Sequence, residues 1–184
     1  MLIVGLGNPG NEYKNTRHNS GYMAVEALAK KLNIDVSKEK FKGLFGDGTY
    51  NGKKIMILKP TTYMNLSGES VVEAVNFYKI PLEDVIVIYD DIDIEIGRIR
   101  IRPEGSSGTH NGMRNIADLL NSHDFPRIRI GIGKPNSGVD LADYVLSKFS
   151  KDEEAEVEKA IDMASDAVLE IIRNGIDKAM SIYN

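Results

Sequence analysis

The chain has 184 residues, of which 42% are hydrophobic and 27% charged, with a formal net charge of −4 and no cysteine. The lack of cysteine excludes disulfides, thiolate-ligated zinc, iron–sulfur clusters and a thiol nucleophile. The composition is that of an ordinary globular protein, and the length predicts one domain over residues 1–184.

Hydrophobic periodicity predicts strands and helices that alternate along the whole chain. Asn51-Gly52 between two apolar runs is the strongest short signal for a β-hairpin. Ser150 and Glu153 form a capping-box pattern before the last long helix, and Asn174-Gly175 ends it. The expected elements are strand Leu2–Leu6, helix Gly21–Asn33, strands Phe45–Tyr50 and Lys54–Lys59, helix Ser67–Lys79, strands Val85–Tyr89 and Gly97–Arg102, helix Asn111–Asn121, strand Arg127–Ile132, and helices on either side of Gly175.

This order of elements predicts the fold class. Alternating strands and helices form α/β domains with helices on both faces of a sheet, and the hairpin adds antiparallel pairing. We therefore expect a three-layer αβα domain around a mixed, mostly parallel twisted sheet. The N-terminus has no basic signal-peptide region, and no apolar run could span a membrane, so a cytoplasmic location is expected.

The glycine loop Gly5–Gly10 matches the G-x-G-x-x-G pattern of dinucleotide sites. Such a site needs a helix that opens inside the motif, so that its N-terminus meets the pyrophosphate. Here the loop is followed by a polar stretch, and the next predicted helix begins about ten residues later. We expect no dinucleotide and no other cofactor.

Polar side chains follow several predicted strands, where ligand sites of α/β sheets lie. Asn8 follows the first strand, and His110 follows the strand before the third helix. Asp90 and Asp91 come directly after a buried apolar strand. Together with His18, which precedes the first helix, these groups are expected to converge at one edge of the sheet.

A histidine beside a carboxylate, without a Gly-x-Ser-x-Gly elbow, indicates that water attacks the substrate. The histidine would be the general base, and the carboxylate would fix its tautomer and stabilise the imidazolium. Asparagine amides would bind a peptide backbone or stabilise an oxyanion. Ser106 or Ser107 would be a nucleophile only if a base stood beside it. The residues alone do not separate Asp90 from Asp91.

The acidic run Asp90–Glu95 also permits a divalent-metal hydrolase. No histidine pair has the spacing of metal ligands, however, and strand alternation would place Asp91, Asp93 and Glu95 on one solvated edge. We therefore expect no metal.

Five separated motifs, in order and over nearly the whole chain, resemble the bacterial peptidyl-tRNA hydrolase family. They are Gly5-Leu6-Gly7-Asn8-Pro9-Gly10 followed by Tyr13 and Thr16-Arg17-His18-Asn19, then Lys59-Pro60-Thr61-Thr62-Tyr63-Met64-Asn65-Leu66-Ser67-Gly68, Asp90-Asp91-Ile92-Asp93, Gly108-Thr109-His110-Asn111-Gly112, and Arg127-Ile128-Arg129-Ile130-Gly131-Ile132-Gly133.

The resemblance implies a monomeric enzyme that hydrolyses the ester between a peptide and the 3′ ribose of tRNA. It would recycle tRNA from peptidyl-tRNA released prematurely by ribosomes. His18 would be the general base, Asp90 its partner, and Asn65 would handle the carbonyl or the water. The other implied site residues are Asn8, Tyr13, Met64, His110 and Asn111 for the substrate, and Arg102 and Arg129 for tRNA.

Two alternative interpretations and one departure from the family pattern remain at this stage. The chain could be a non-catalytic RNA-binding relative, since plastid splicing factors share this fold. Asn65 and Asn111 could simply cap the helices that follow them. The loop Pro103–Gly108 is less glycine-rich than is usual in the family, and Glu104 would lie beside the tRNA phosphates.

The net charge is unevenly distributed along the chain. Residues 95–134 carry 7 basic and 4 acidic side chains, whereas residues 135–184 carry 5 and 11. A local positive field beside the site can steer a phosphate backbone even in an acidic protein. Steep salt dependence is therefore expected for tRNA substrates.

Overall fold

The computed structural model describes residues Met1–Asn184, with seven strands and six α-helices. The strands are β1 (Leu2–Gly5), β2 (Lys38–Lys40), β3 (Gly43–Tyr50), β4 (Lys53–Pro60), β5 (Val85–Asp91), β6 (Ile99–Arg102) and β7 (Arg127–Gly131). The helices are α1 (Ser20–Leu32), α2 (Ser67–Tyr78), α3 (Asn111–Leu120), α4 (Leu141–Val145), α5 (Lys151–Asn174) and α6 (Ile176–Tyr183).

All seven strands form one sheet in the order β2-β3-β4-β1-β5-β7-β6. The central pairs β4–β1, β1–β5 and β5–β7 are parallel, and the three outer pairs are antiparallel. The predicted mixed α/β sheet is confirmed. Parallel pairing is confined to the centre and makes up half of the six pairs rather than most of them, because antiparallel pairs extend the sheet on both sides.

Two apolar cores lie on opposite faces of this sheet, which gives the three layers. Ile3 of β1 packs with α1 and α5 on one face. Its neighbours Leu2 and Val4 pack with α2 and α3 on the other. The central strand β5 alternates in the same way, and this double burial explains why its sequence is a continuous apolar run.

The glycines of the Gly5–Gly10 loop have a packing role. A Cβ on Gly5 would overlap the backbone carbonyl of Gly21, and one on Gly7 would lie 2.6 Å from the ring of Tyr22. The end of β1 can therefore lie directly against the start of α1. A 3₁₀ turn follows the loop, and α1 begins only at Ser20, in agreement with the predicted delay.

Several boundaries differ from the sequence-based expectation. β5 ends at Asp91, so Asp93 and Glu95 lie in a turn and not on a strand edge. β6 begins at Ile99 rather than residue 97. The sequence did not predict the short elements β2 and α4. It did predict the hairpin turn at Asn51-Gly52, and both residues have positive φ angles.

The ends of α5 follow the predicted signals. The carboxylate of Glu153 accepts a hydrogen bond from the Ser150 N–H at 2.7 Å, as a capping box requires. Gly175, with φ of 89°, separates α5 from α6. No helix of the structure combines the length and the apolarity that a bilayer crossing needs.

Candidate active site

A cleft of about 860 Å³ opens beside the carboxyl ends of β1 and β5. Its lining combines the glycine loop, the loop before α3, the end of β5 and helix α4. The structure brings together all ten residues singled out from the sequence, which line this cleft: Asn8, Tyr13, His18, Met64, Asn65, Asp90, Arg102, His110, Asn111 and Arg129.

At the centre of the cleft, the carboxylate of Asp90 is hydrogen-bonded to two histidines. Both oxygens of its carboxylate lie 3.0 Å from Nδ1 of His18. Its Oδ1 also lies 3.0 Å from Nε2 of His110. The Asp90 side chain is only 3% exposed, against 14% for His18 and 8% for His110. The three side chains thus form a nearly buried unit with His18 as its most accessible member.

The surrounding hydrogen bonds distinguish the two histidines. His110 is the N-cap of α3, and its Nδ1 accepts the backbone N–H of Met113 at 3.3 Å. Its Nε2 must then carry the proton that Asp90 accepts, so both ring nitrogens are engaged. His18 donates through Nδ1 to Asp90, which leaves the lone pair of its Nε2 for the cleft. His18 is therefore the imidazole that can take up a proton there.

Electrostatics support the same assignment. Burial alone lowers the pKa of His18, but the charge of Asp90 and its hydrogen bond raise it above the ordinary value. Burial alone raises the pKa of Asp90, but the two imidazoles hold it well below its usual range. Asp90 is therefore ionised at neutral pH, and His18 is a stronger base than a solvated imidazole.

The amide of Asn8 is held in one orientation. Its Oδ1 accepts the backbone N–H of Met64 at 2.7 Å, so its NH₂ group faces the cleft. Asn19 fixes the backbone of Asn8 from both sides, since its Oδ1 accepts the Asn8 N–H at 2.9 Å and its Nδ2 donates to the Asn8 carbonyl at 3.0 Å. Asn8 thereby presents a preorganised hydrogen-bond donor.

The two other asparagines are exposed on the cleft surface. The N-cap of α2 is Leu66, and that of α3 is His110. The alternative that Asn65 and Asn111 serve only as caps is therefore wrong. Both side chains can turn toward a ligand.

The acidic run after β5 is neutralised by basic side chains. Asp91 pairs with Arg129 at 2.7 Å, and Asp93 pairs with Lys134 at 3.1 Å. Asp91 thus has a different partner from Asp90, and of the two adjacent carboxylates only Asp90 is hydrogen-bonded to His18.

The three side chains at the centre of the cleft are also of the types that bind metal ions. The potential ligand atoms of His18, Asp90 and His110 lie within 4.8 Å of one another. The hydrogen bonds among these groups already satisfy the carboxylate and fix both rings. Measuring hydrolysis in the presence of a chelator distinguishes a metal site from a metal-free hydrogen-bonded unit.

The serines of the loop Pro103–Gly108 lack a base. The Oγ of Ser107 is buried and has no hydrogen-bond partner, and the ring nitrogens of His110 are bonded to other groups. A serine hydroxyl without an adjacent base is a weak nucleophile. The structure therefore gives neither serine the base that a hydroxyl nucleophile needs.

The arginines beside the cleft have different surroundings. Arg127 is 1% exposed, and its guanidinium donates to four backbone carbonyls, including Gly105 at 2.6 Å and His123 at 2.7 Å. It therefore organises the loop rather than offering its donors to a phosphate. Arg102 is exposed and makes no ion pair, although Glu104 lies in the same cleft lining.

Sequence reasoning missed two features of the site. Asn19 acts through Asn8, and the only signal for it was its place directly after His18. Helix α4 with its C-cap Leu146 forms an apolar wall of Leu141, Val145 and Leu146, but a five-residue helix is too short to give a periodicity signal.

Comparison with known proteins identifies the family. The model of the peptidyl-tRNA hydrolase family matches residues 2–184. The peptidyl-tRNA hydrolase of Caldanaerobacter subterraneus subsp. tengcongensis is 59% identical over all of this chain and 98% of its own, and that of Clostridium botulinum is 54% identical over 100% and 96%. The crystal structure of the Acinetobacter baumannii enzyme superposes with a TM-score of 0.92 at 41% identity, covering 98% of this chain and 92% of that one. The cleft, its histidine–carboxylate unit and these similarities agree: the chain belongs to the peptidyl-tRNA hydrolase family.

Proposed function

We propose that this enzyme cleaves the ester of peptidyl-tRNA with His18 as general base, Asp90 as its partner and water as nucleophile. The observation that carries the assignment is the hydrogen-bond pattern, which engages both nitrogens of His110 and leaves Nε2 of His18 available. In the first step His18 takes a proton from water, and the oxygen attacks the ester carbonyl carbon.

In the second step the tetrahedral intermediate collapses. The bond to the 3′ oxygen of the terminal ribose breaks, and the imidazolium of His18 returns its proton to that oxygen. The ionised Asp90 stabilises the imidazolium between the two steps. The products are a tRNA with its 3′ hydroxyl restored and the free peptide, whose new carboxylic acid releases its proton to the solvent.

Asparagines bind the acyl part of the substrate in this scheme. The NH₂ of Asn8 donates to a peptide or ester carbonyl. Because the Met64 N–H already fixes the orientation of this amide, little further ordering is needed when it binds the carbonyl. Asn65 contacts the reacting carbonyl or the water, and Asn111 holds the peptide backbone. Tyr13, Met64 and His110 complete this substrate surface.

The tRNA lies against the basic edge of the cleft. Arg102 is exposed and contributes a full charge, whereas Arg129 is shared with Asp91 at 2.7 Å. We further propose that the chain acts as a cytoplasmic, single-domain monomer that recycles tRNA released prematurely from ribosomes. It uses no metal and no dinucleotide.

Hydrolysis of N-acetyl-aminoacyl-tRNA by the purified protein in EDTA tests the function. We expect multiple turnovers with release of intact tRNA. Binding of tRNA without ester cleavage would instead identify a non-catalytic RNA-binding relative. Loss of activity in EDTA, with recovery on adding a divalent cation, would assign a metal to the unit formed by His18, Asp90 and His110.

A further inference from the structure

Arg17 precedes the general base of the proposed mechanism and has no role in that mechanism. Its side chain is only 8% exposed, yet it does not line the cleft. Its guanidinium makes a two-pronged ion pair with Glu153, at 3.2 and 2.8 Å. It also lies over the rings of Tyr144 and Phe149, with 4.4 and 4.7 Å to their centroids.

These contacts fall on α4, on the turn after it and on the start of α5. The backbone N–H of Arg17 donates to the carbonyl of Ser147 at 2.9 Å, and its Nε donates to the Ser147 hydroxyl at 3.2 Å. Ser147 Oγ in turn donates to the carbonyl of Tyr144. Arg17 thus joins the end of α4 to the start of α5, mostly through its side chain and in one bond through its backbone N–H.

Helix α4 depends on such anchors because it has no buried residue. Hydrophobic burial, which fixes most helices, cannot hold it in place. Besides its contacts with Arg17, α4 has one side-chain hydrogen bond to the end of the sheet. The Tyr144 hydroxyl donates to the carbonyl of Ile132 at 2.6 Å. The position of α4 is therefore set largely by Arg17.

The cleft side of the α4 segment has a distinct chemistry. Leu141, Val145 and Leu146 line the cleft together with the carboxylate residue Asp140, and the segment 139–146 contains no basic residue. An acidic, apolar wall repels phosphates and favours a nonpolar group. An apolar side chain of the bound peptide fits this surface, whereas the polynucleotide does not.

We propose that Arg17 is a positioning residue that holds α4 as the wall for an apolar side chain of the peptide. The inference rests on the proposed function. The fork of a guanidinium and its planar stacking cannot be reproduced by an ammonium group. Arg17→Lys should therefore loosen the wall and leave the hydrogen bonds of His18 intact.

The test compares N-acetyl-leucyl and N-acetyl-glycyl esters carried by the same tRNA. In Arg17→Lys the KM for the leucyl substrate should rise about five- to tenfold and that for the glycyl substrate at most about twofold, since only the former fills an apolar wall. The kcat and its pH profile should stay as in wild type. Arg173→Lys, the same change at an exposed site on the far end of α5, is the matched control.

A measurement without substrate accompanies the kinetics. Amide hydrogen exchange over residues 144–147 should accelerate in Arg17→Lys, because the hydrogen bonds of α4 lose their support. If Arg17→Lys does not fold, Glu153→Gln replaces it, with its exposed neighbour Glu154→Gln as control, and the same leucyl-specific rise in KM is expected.

Three results would overturn the proposal: an unchanged KM for the leucyl ester, an equal rise for both esters, or a loss confined to kcat. Failure of the proposed function gives a different result, because the wild-type protein would then cleave neither ester.

Discussion

Replacing Asp90 with asparagine should reverse the tautomer of His18. His110 must donate through Nε2, because its Nδ1 accepts the Met113 N–H. The amide oxygen of an asparagine at position 90 would therefore face His110, and its NH₂ would face Nδ1 of His18. His18 would then carry its proton on Nε2, which is the atom that has to accept a proton from water.

The expected cost follows from this change. A general base in the wrong tautomer, without its counter-ion, loses about 10³- to 10⁴-fold in kcat. This corresponds to about 4 to 5.5 kcal/mol of transition-state stabilisation. KM should change little, since the Asp90 side chain is buried and both of its carboxylate oxygens are hydrogen-bonded to the histidines.

The pH profile of kcat/KM gives a second, independent test, because the direction in which its acid limb moves can be predicted. In the wild type the base works when His18 is neutral, so the acid limb of kcat/KM lies above the ordinary histidine pKa of 6.5, because the pKa of His18 is raised. Without the Asp90 charge, burial alone remains and lowers the pKa of His18. The acid limb of Asp90→Asn should therefore move to lower pH.

Single-turnover hydrolysis of N-acetyl-aminoacyl-tRNA across pH 5–9 is the assay. Asp91→Asn, the same chemical change one residue along the strand, is the control and should keep kcat within about threefold. A loss below about tenfold in Asp90→Asn, or an acid limb that does not move, would refute the tautomer argument.

Three further predictions concern neighbouring residues. Asn19→Ala removes both hydrogen bonds that clamp Asn8 and should cost about 1–3 kcal/mol of unfolding free energy, measured in urea, together with a raised KM; an unchanged midpoint would contradict the clamp. Arg102→Gln should reduce the slope of log kcat/KM against log salt by about 0.7 to 0.9, whereas Arg173→Gln should leave the slope as it is. Arg127→Met leaves buried carbonyls without a donor and should cost about 2–4 kcal/mol in the same urea experiment, and a cost near zero would mean that the loop holds itself.

The alternating strands and helices could be predicted because both faces of the central strands are buried. Runs such as Val85–Tyr89 leave a strong hydrophobic signal, and Asn51-Gly52 can adopt the left-handed conformation that a tight hairpin needs. Edge strand β2 has the sequence Lys-Glu-Lys and is a strand only through pairing with β3. Tertiary pairing of that kind leaves no local pattern.

The sequence could predict which loops form the candidate site, because the carboxyl ends of parallel strands converge at one edge of the sheet. The residues alone could not choose between Asp90 and Asp91, since both follow the same strand. The choice depends on which side chain meets a histidine and which meets Arg129, and this is fixed by packing between elements distant in sequence.

The most direct test of the mechanism is the turnover of His18→Ala on N-acetyl-aminoacyl-tRNA in EDTA. His18 is the one imidazole of the cleft whose second nitrogen is not engaged, so its loss should lower kcat by about 10³- to 10⁴-fold, as much as Asp90→Asn does. The circular dichroism spectrum should be that of the wild type. Turnover close to the wild-type rate in a folded His18→Ala protein would contradict the assignment of the general base.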